Sequence, residues 1–324
     1  MKADQAFVRT SKRRRYFTAK RMSGWIWSIF RTGIIIGIAY VILYPLLVKL
    51  SVALMGDGDM YDMTVKWLPK NPTFGNFEEV LWLVDYEGYL LTTLAVSAGA
   101  TLIQVASSAL AAYGLARFKF RGRTLVFLLV IFTLVLPQQT YMTTTYMQYR
   151  YFNVYGIMGL FGYKGETIIG TPWPLMLMSF GCQATKNGLF IYILRQFLAR
   201  LPKELEEAAW VDGAGVGKIF LRVMLPNAGP ALVTVSVLSF VWTWNDLYTA
   251  STYMPGLKMF STLLNNLTFQ IRQAAGGASM IDTVHVSILT NAGALLIILP
   301  LIVLFIVAQK FFVQGVERSG LTGM

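Results

Sequence analysis

Six times along its 324 residues the chain runs through an apolar stretch long enough to cross a lipid bilayer, and no other feature restricts its fold so tightly. The stretches lie near 32–54, 89–116, 124–146, 173–199, 230–252 and 284–312. About 20 apolar residues in a helix traverse the hydrocarbon layer. With no water there, each crossing must satisfy its own backbone N–H and C=O groups, and a helix does so within one segment. The predicted fold class is therefore all-α, a membrane protein with about six transmembrane helices. Composition agrees: 55% of the residues are hydrophobic, 14% are charged, and mean hydropathy is +0.54. That balance lies outside the usual soluble range.

An even number of crossings puts both termini on one side, and the basic residues choose the side. Of 28 Lys and Arg, nine fall in 1–31, four in 117–123, five in 195–222 and two in 310–324, so 20 belong to one face. The positive-inside rule makes that face cytoplasmic. The other eight are scattered over external loops and helices, among them Lys66, Lys70, Arg150, Lys164, Lys258 and Arg272. A net charge of +12 could signal nucleic acid, but these residues flank apolar runs and do not form a soluble basic face. They read as topology signals, with lipid as a partner and nucleic acid as none. The expected organisation is a basic cytoplasmic leader at 1–31, a membrane domain at 32–312 and a cytoplasmic tail at 313–324. The run from Gly33 to Leu54 is long enough to span and has no small-residue cleavage site after it, so it reads as the first membrane helix, not a removed signal.

A single cysteine, Cys182, and a single histidine, His285, leave no disulfide framework and no metal cluster. Cys182 reads as a packing residue, and His285 as a surface or interface residue at the external edge of the last helix. The second stretch is rich in Ala, Ser and Gly from Ala95 to Gly114, which lets backbones approach closely and predicts a central position. Gly33 and Gly37 have a helix-packing spacing that specifies no particular partner. Phe77 to Trp82 reads as a short amphipathic helix lying on the outer interface, with Trp82 as its anchor. Residues 147–172 are rich in Tyr and Gly, and fit either a surface loop or a contact for a soluble partner.

The one sizeable interior loop, 200–229, holds the motif. Pro202 can open a helix, and Glu204, Glu206 and Glu207 sit at its positive end. Ala208 and Ala209 give a smooth face, Gly213 permits a left-handed turn, and Pro226 is expected to stop a second short helix. Gly213 to Lys218 imitates a phosphate loop, but Asp212 stands where its first glycine belongs and Ile219 where Ser or Thr is needed. No other segment offers a nucleotide cradle, so any ATP would be used by another subunit.

Glu207-Ala208-Ala209, three residues, Gly213, nine residues, Val223, one residue, then Leu225-Pro226 resembles the signature loop of binding-protein-dependent ABC importer permeases, with Val223 in place of the usual isoleucine. The resemblance implies a type I importer permease of the bacterial cytoplasmic membrane, itself not an enzyme. It also implies that Glu207, Ala208, Ala209, Asp212, Gly213, Leu225 and Pro226 belong to a coupling helix that docks on an ATPase. Further partners it implies are a second, homologous permease subunit, two ATPase subunits that hold ATP and magnesium, and an extracytoplasmic solute-binding protein. This chain would carry no cofactor of its own. Arg195-Gln196-Phe197, Trp244-Asn245-Asp246 and Phe312-Val313-Gln314-Gly315 are similar to the carbohydrate branch, in particular the smaller permease subunit of maltose-type transporters. The similarity runs from about residue 74 onward and departs at 147–172 and in the leader 1–24.

Polar side chains within apolar stretches mark a passage or a partner. Gln104, Asn187, Asn245, Asp246 and Asn291 are such residues, and Trp242, Trp244 and Tyr248 offer flat faces for a sugar ring. Asn245 and Asp246 could equally bond helix backbones or a partner subunit. Lys186 is expected to snorkel. A permease for another small polar solute fits the same pattern. A secondary transporter would need buried relays and inverted repeats with broken helices, and Asp246 is the one plausible buried acid. A channel or membrane enzyme would need a pore filter or catalytic constellation, and neither is legible. A non-transporting scaffold for an ATPase would keep the loop without any sugar dependence.

Overall fold

The computed structural model describes residues 2–65, 67–153, 165–274 and 282–321. Lys66 and residues 154–164 of the Tyr- and Gly-rich stretch, Lys164 among them, lie outside the described residues. The described residues form fifteen α-helices and one π-helical turn, with isolated bridges but no strand. The chain divides into two compact units, Met1–Asn76 and Phe77–Met324.

In the first unit, α1 (Lys2–Ala53) contains the apolar span Gly24–Ala53 and keeps its course through Pro45. None of the side chains in its most apolar window is buried by the chain itself. Beyond α2 (Asp57–Tyr61) the segment is held by polar clamps. Asn76 Nδ2 donates to the carbonyls of Ala53 (2.8 Å) and Met55 (2.9 Å). Asp59 accepts from Asn71 N and Nδ2 at 2.9 and 3.1 Å. Asp62 accepts from Lys70 (2.5 Å) and from Thr64, which hold its carboxyl far below the usual carboxylate range.

α3 (Gly75–Leu83) buries Val80 and leaves Trp82 92% exposed, as an amphipathic helix should. The second unit continues with α4 (Tyr86–Arg117), which packs against α7 (Trp173–Phe180), α8 (Asn187–Arg200), α12 (Gly229–Asn245) and α14 (Phe260–Ala274). Ser97, Ala100, Ser108, Ala109 and Ala112 are buried along α4, so the small-residue stripe does make it central to this unit. The core next to the 200–229 loop gathers Tyr113, Phe190, Leu194, Leu198, Ile219, Phe220, Met224 and Val235. Cys182 packs against that core, as expected of a small apolar side chain.

Three of the six apolar stretches are interrupted in the structure. By length and composition three described helices can span: Gly24–Ala53, Tyr86–Arg117 and Thr283–Gln309, the last part of α15 (Thr283–Leu321). The number reaches five if each of two bent pairs is one crossing. The stretch 124–146 becomes α5 (Arg123–Val135) and α6 (Gln139–Arg150), bent by 101° around Pro137, which supplies no N–H and disfavours helix before it. The stretch 173–199 divides into α7 and α8 at 181–186, where Cys182 and Lys186 adopt positive φ of 57° and 66°. The stretch 230–252 divides at Asp246 into α12 and α13 (Leu247–Tyr253). Hydropathy records the length of an apolar run and is blind to side chains that satisfy a broken backbone.

Pro226 also behaves differently from its expected role as a stop. After α9 (Glu204–Val211) and α10 (Val216–Ile219), a π-helical turn over Phe220–Met224 leads into α11 (Leu225–Asn227). The Leu225 N–H bonds Phe220 O, and the wider turn makes room for the Pro226 ring that would collide with a carbonyl in an α-helix. The chain bends by 80° between Asn227 and Gly229.

Candidate functional site

Two surfaces of the second unit carry chemistry, and the first is the loop between α8 and α12. Three acidic residues, Glu204, Glu206 and Glu207, occupy the first turn of α9. The helix ends in a Schellman arrangement: Ala214 N bonds Ala209 O at 2.9 Å and Gly213 N bonds Trp210 O at 2.9 Å, with Gly213 at φ +74°. One side of this helix pair is tied down. Arg117, at the end of α4, donates through Nη2 to Leu201 O at 2.7 Å and lies 3.4 Å through Nε from Glu206 Oε2. Ile219, Phe220 and Met224 are buried, and Ala209, Val223 and Leu225 pack against them.

The other side is open. Glu207, Ala208, Asp212, Gly213 and Pro226 are exposed, whereas Ala209 and Leu225 turn partly inward, so the expected coupling set does not all face one way. Among the exposed polar residues stand Trp210 (61% exposed), Val211 (88%), Val216 and Leu221. Exposed apolar side chains of this size are available for contact with another surface. Sequence reasoning passed over these four residues, although apolar side chains beside a charged turn were a visible signal.

The second surface is a cleft of about 430 Å³ lined by Trp244, Asn245, Leu247, Phe260, Ser261, Leu264, Asn265 and Ile297. Its residues come from α12, α13, α14 and α15. Trp244 is 1% exposed and packs on Phe240 and Phe260 with ring centroids 5.5 Å away in each case, and its buried Nε1–H has no hydrogen-bond partner among the described residues. Asn245 is exposed to the cleft and donates through Nδ2 to Val241 O at 2.8 Å. Two amides, a hydroxyl, an indole and several apolar faces suit an uncharged, hydroxyl-bearing ligand.

Of the eight residues expected along a passage, the cleft therefore brings together Trp244 and Asn245. Gln104 and Asn187 are buried and bonded to each other at 2.7 Å. Asp246 caps α13, accepting from Thr249 N at 2.9 Å. Trp242 stacks on Phe190 at 5.6 Å, with Lys186 Nζ 5.9 Å from its ring, and Tyr248 is exposed elsewhere. Asn291 donates to Ser287 O on its own helix at 2.8 Å. His285 lies 3.0 Å from Glu79. Arg195 stacks its guanidinium 3.9 Å from the Phe127 ring and donates to Leu115 O, while the side chains of Phe312 to Gln314 lie outside the described residues. Ser261, Leu264 and Asn265 on α14 went unnoticed because 260–274 is not an apolar run. The signal was amphipathic: Phe260, Leu263, Leu267 and Ile271 recur at helical spacing and are buried.

Known proteins resemble this chain in sequence and in fold. The osmoprotective compounds uptake permease protein GgtD of Synechocystis sp. is 33% identical over 288 residues, covering 87% of this chain and 88% of that one. The alpha-glucoside transport system permease protein AglG of Rhizobium meliloti is 32% identical over 255 residues, covering 79% of this chain and 62% of that one. A crystal structure of a bacterial ABC transporter involved in the import of the acidic polysaccharide alginate contains a chain that matches this fold with a TM-score of 0.70 at 21% identity, over 90% of this chain and 98% of that one. The family described as binding-protein-dependent transport system inner membrane component matches residues 80–318, most of the chain, and the chain belongs to that family.

Proposed function

We propose that this chain forms one side of the membrane passage of an ATP-driven importer and admits a neutral saccharide. The observation that carries the reading is the loop at 200–229: its Glu207-to-Pro226 spacing matches the coupling motif, and Trp210, Val211, Val216 and Leu221 form an exposed apolar face beside it. An ATPase subunit is the partner that such a face fits. A second permease subunit would complete the passage, two ATPase subunits would hold ATP and magnesium, and a binding protein would deliver the solute from outside. The distribution of basic residues supports cytoplasmic termini and puts the loop on the ATP side.

The saccharide assignment rests on the cleft together with the names of the relatives. None of its lining residues carries a charge, and its amide and hydroxyl groups can exchange hydrogen bonds with sugar hydroxyls. The relative named for osmoprotective compounds also favours a second reading, another small polar solute. In either case transport is alternating access. ATP-driven closure on the loop and binding-protein docking outside favour one state, and hydrolysis returns the other. Taking such an equilibrium from 1:99 to 99:1 needs about 5.5 kcal/mol of differential binding, which is why a broad docking face is required.

The test is solute-stimulated ATP hydrolysis by the reconstituted complex. Glu207→Lys or Gly213→Pro should abolish the stimulation while the chain still inserts in the membrane. Mutant complexes that keep full stimulation would refute the assignment of the loop.

A further inference from the structure

The three interrupted stretches break at places that meet one another. α5 gives way to α6 beside Gln138, α7 to α8 through residues 181–186, and α12 to α13 at Asp246. Their side chains converge on one carboxylate. Asp246 Oδ1 accepts from Thr249 N at 2.9 Å, and Oδ2 accepts from Thr249 Oγ1 at 2.6 Å and from Thr185 Oγ1 at 2.9 Å. Gln138 closes the ring, accepting from Thr185 Oγ1 at 3.3 Å and donating to Thr249 Oγ1 at 3.1 Å.

The ring continues inward. Gln104 Nε2 donates to Thr185 O at 2.9 Å and to Asn187 Oδ1 at 2.7 Å, and Gln104 Oε1 accepts from Ser239 Oγ at 2.5 Å. Asn187 Nδ2 donates to Ser108 Oγ at 2.9 Å. It also continues outward: Asn245 and Leu247, the chain neighbours of Asp246, line the cleft, and Ser261 of the same wall donates to Asp246 O at 3.4 Å.

Capping α13 requires only the local Asp246–Thr249 pair. The bonds to Thr185 and Gln138 reach 61 and 111 residues away in sequence and do something else. Chain order shows what. α8 runs from this ring to Arg200, where the exposed loop begins, and α12 starts at Gly229, where the loop ends, and returns to the ring at Asn245. The two helices that flank the loop thus meet again at Asp246, against the cleft wall. Backbone groups freed at a helix break in lipid cost several kcal/mol unless a side chain satisfies them, and at two of the breaks this network does so: Asp246 accepts from Thr249 N and Gln104 donates to Thr185 O.

We propose that Asp246 is a positioning residue for transport: through Thr185, and through Thr249 to Gln138, it links three helix interruptions into one joint, which carries displacement of the 200–229 loop to the cleft. The proposal rests on the reading of the cleft as the solute passage. Motion of the loop enters through α8 and α12 and leaves through Asn245, Leu247 and Ser261.

The experiment uses the complete reconstituted importer, with solute moved per ATP hydrolysed, half-saturation of uptake and thermal stability all measured. Thr185→Val removes the cross-link and leaves the Asp246 cap. It should lower solute moved per ATP about tenfold, on the scale of losing a hydrogen bond to a charged group, with half-saturation within about twofold. Thr185→Ser should restore the ratio. Gln138→Leu breaks the ring from its other side and should act in the same direction, so the idea stays testable if Thr185→Val assembles poorly. Wild-type solute per ATP in both Thr185→Val and Gln138→Leu overturns the joint. Asn265→Leu separates the two claims: it should raise half-saturation several-fold, and if half-saturation stays at the wild-type value, the cleft reading fails on its own.

Discussion

At the scale of single residues, two substitutions show how differently this chain uses its small and charged side chains. A Cβ on Gly188 would lie 2.5 Å from Thr133 Oγ1 and 2.8 Å from Val130 O, so α5 and α8 touch backbone to side chain at a distance only glycine allows. Gly188→Ala should destabilise the protein by about 1–3 kcal/mol, the usual cost of overpacking, read as a lower melting temperature in detergent. Asp85, just before α4, pairs with Lys258 on the surface. The Lys258 ammonium holds the Asp85 carboxyl below the usual carboxylate range, and Asp85 holds Lys258 above the usual amine range. The contribution of Asp85 is present above its unfolded pKa and lost as pH falls through the lowered folded value. That of Lys258 is present below its unfolded pKa and lost as pH rises through the raised one. The melting difference between wild type and Asp85→Asn should accordingly be small and flat from about pH 5 to about pH 9 and vanish in stronger acid. A difference that grows toward acid would contradict the pairing.

At the scale of elements, the strut between α4 and α9 is the most exposed to test. The side chains of Arg117 and Glu206 are only 7% and 15% exposed, and Arg117 also holds Leu201 O. Arg117→Met leaves a buried carboxylate without its partner and should cost about 3 kcal/mol, seen as early melting and as loss of solute-stimulated ATP hydrolysis. Arg117→Met with Glu206→Leu should recover much of the stability, because the uncompensated charge is gone. The same elements show what a sequence can and cannot disclose. The loop was legible because its logic is local: Glu207, Gly213 and Pro226 sit at fixed spacing, and the left-handed turn at Gly213 needs no distant partner. The broken helices were not. Nothing near Gly181 or Lys186 announces that Gln104 and Asp246, far along the chain, will satisfy a gap in an apolar run. Pro226 was misread as a stop because a π turn that accommodates a proline leaves no local mark.

At the scale of the whole molecule, the chain is a membrane-embedded permease whose two candidate surfaces differ in how they are made. The loop is one contiguous segment, whereas the cleft is assembled from residues 244–247, 260–265 and 297, which only the fold brings together. That is why Trp244 and Asn245 could be picked out in advance while Ser261 and Asn265 could not. Gln104 and Asn187, polar groups costly to bury alone, bond each other, whereas Asp246 bonds Thr185 and Thr249.

The central claim is that the 200–229 loop faces the cytoplasm and is covered by an ATPase subunit. Val211→Cys in a Cys182→Ser background puts a single thiol at a position that is 88% exposed in the chain alone. Labelling with a membrane-impermeant maleimide should succeed in inside-out vesicles, fail in right-side-out ones, and be suppressed when the purified ATPase subunit is added. Labelling from the outside, or labelling that the ATPase leaves undiminished, would contradict the account.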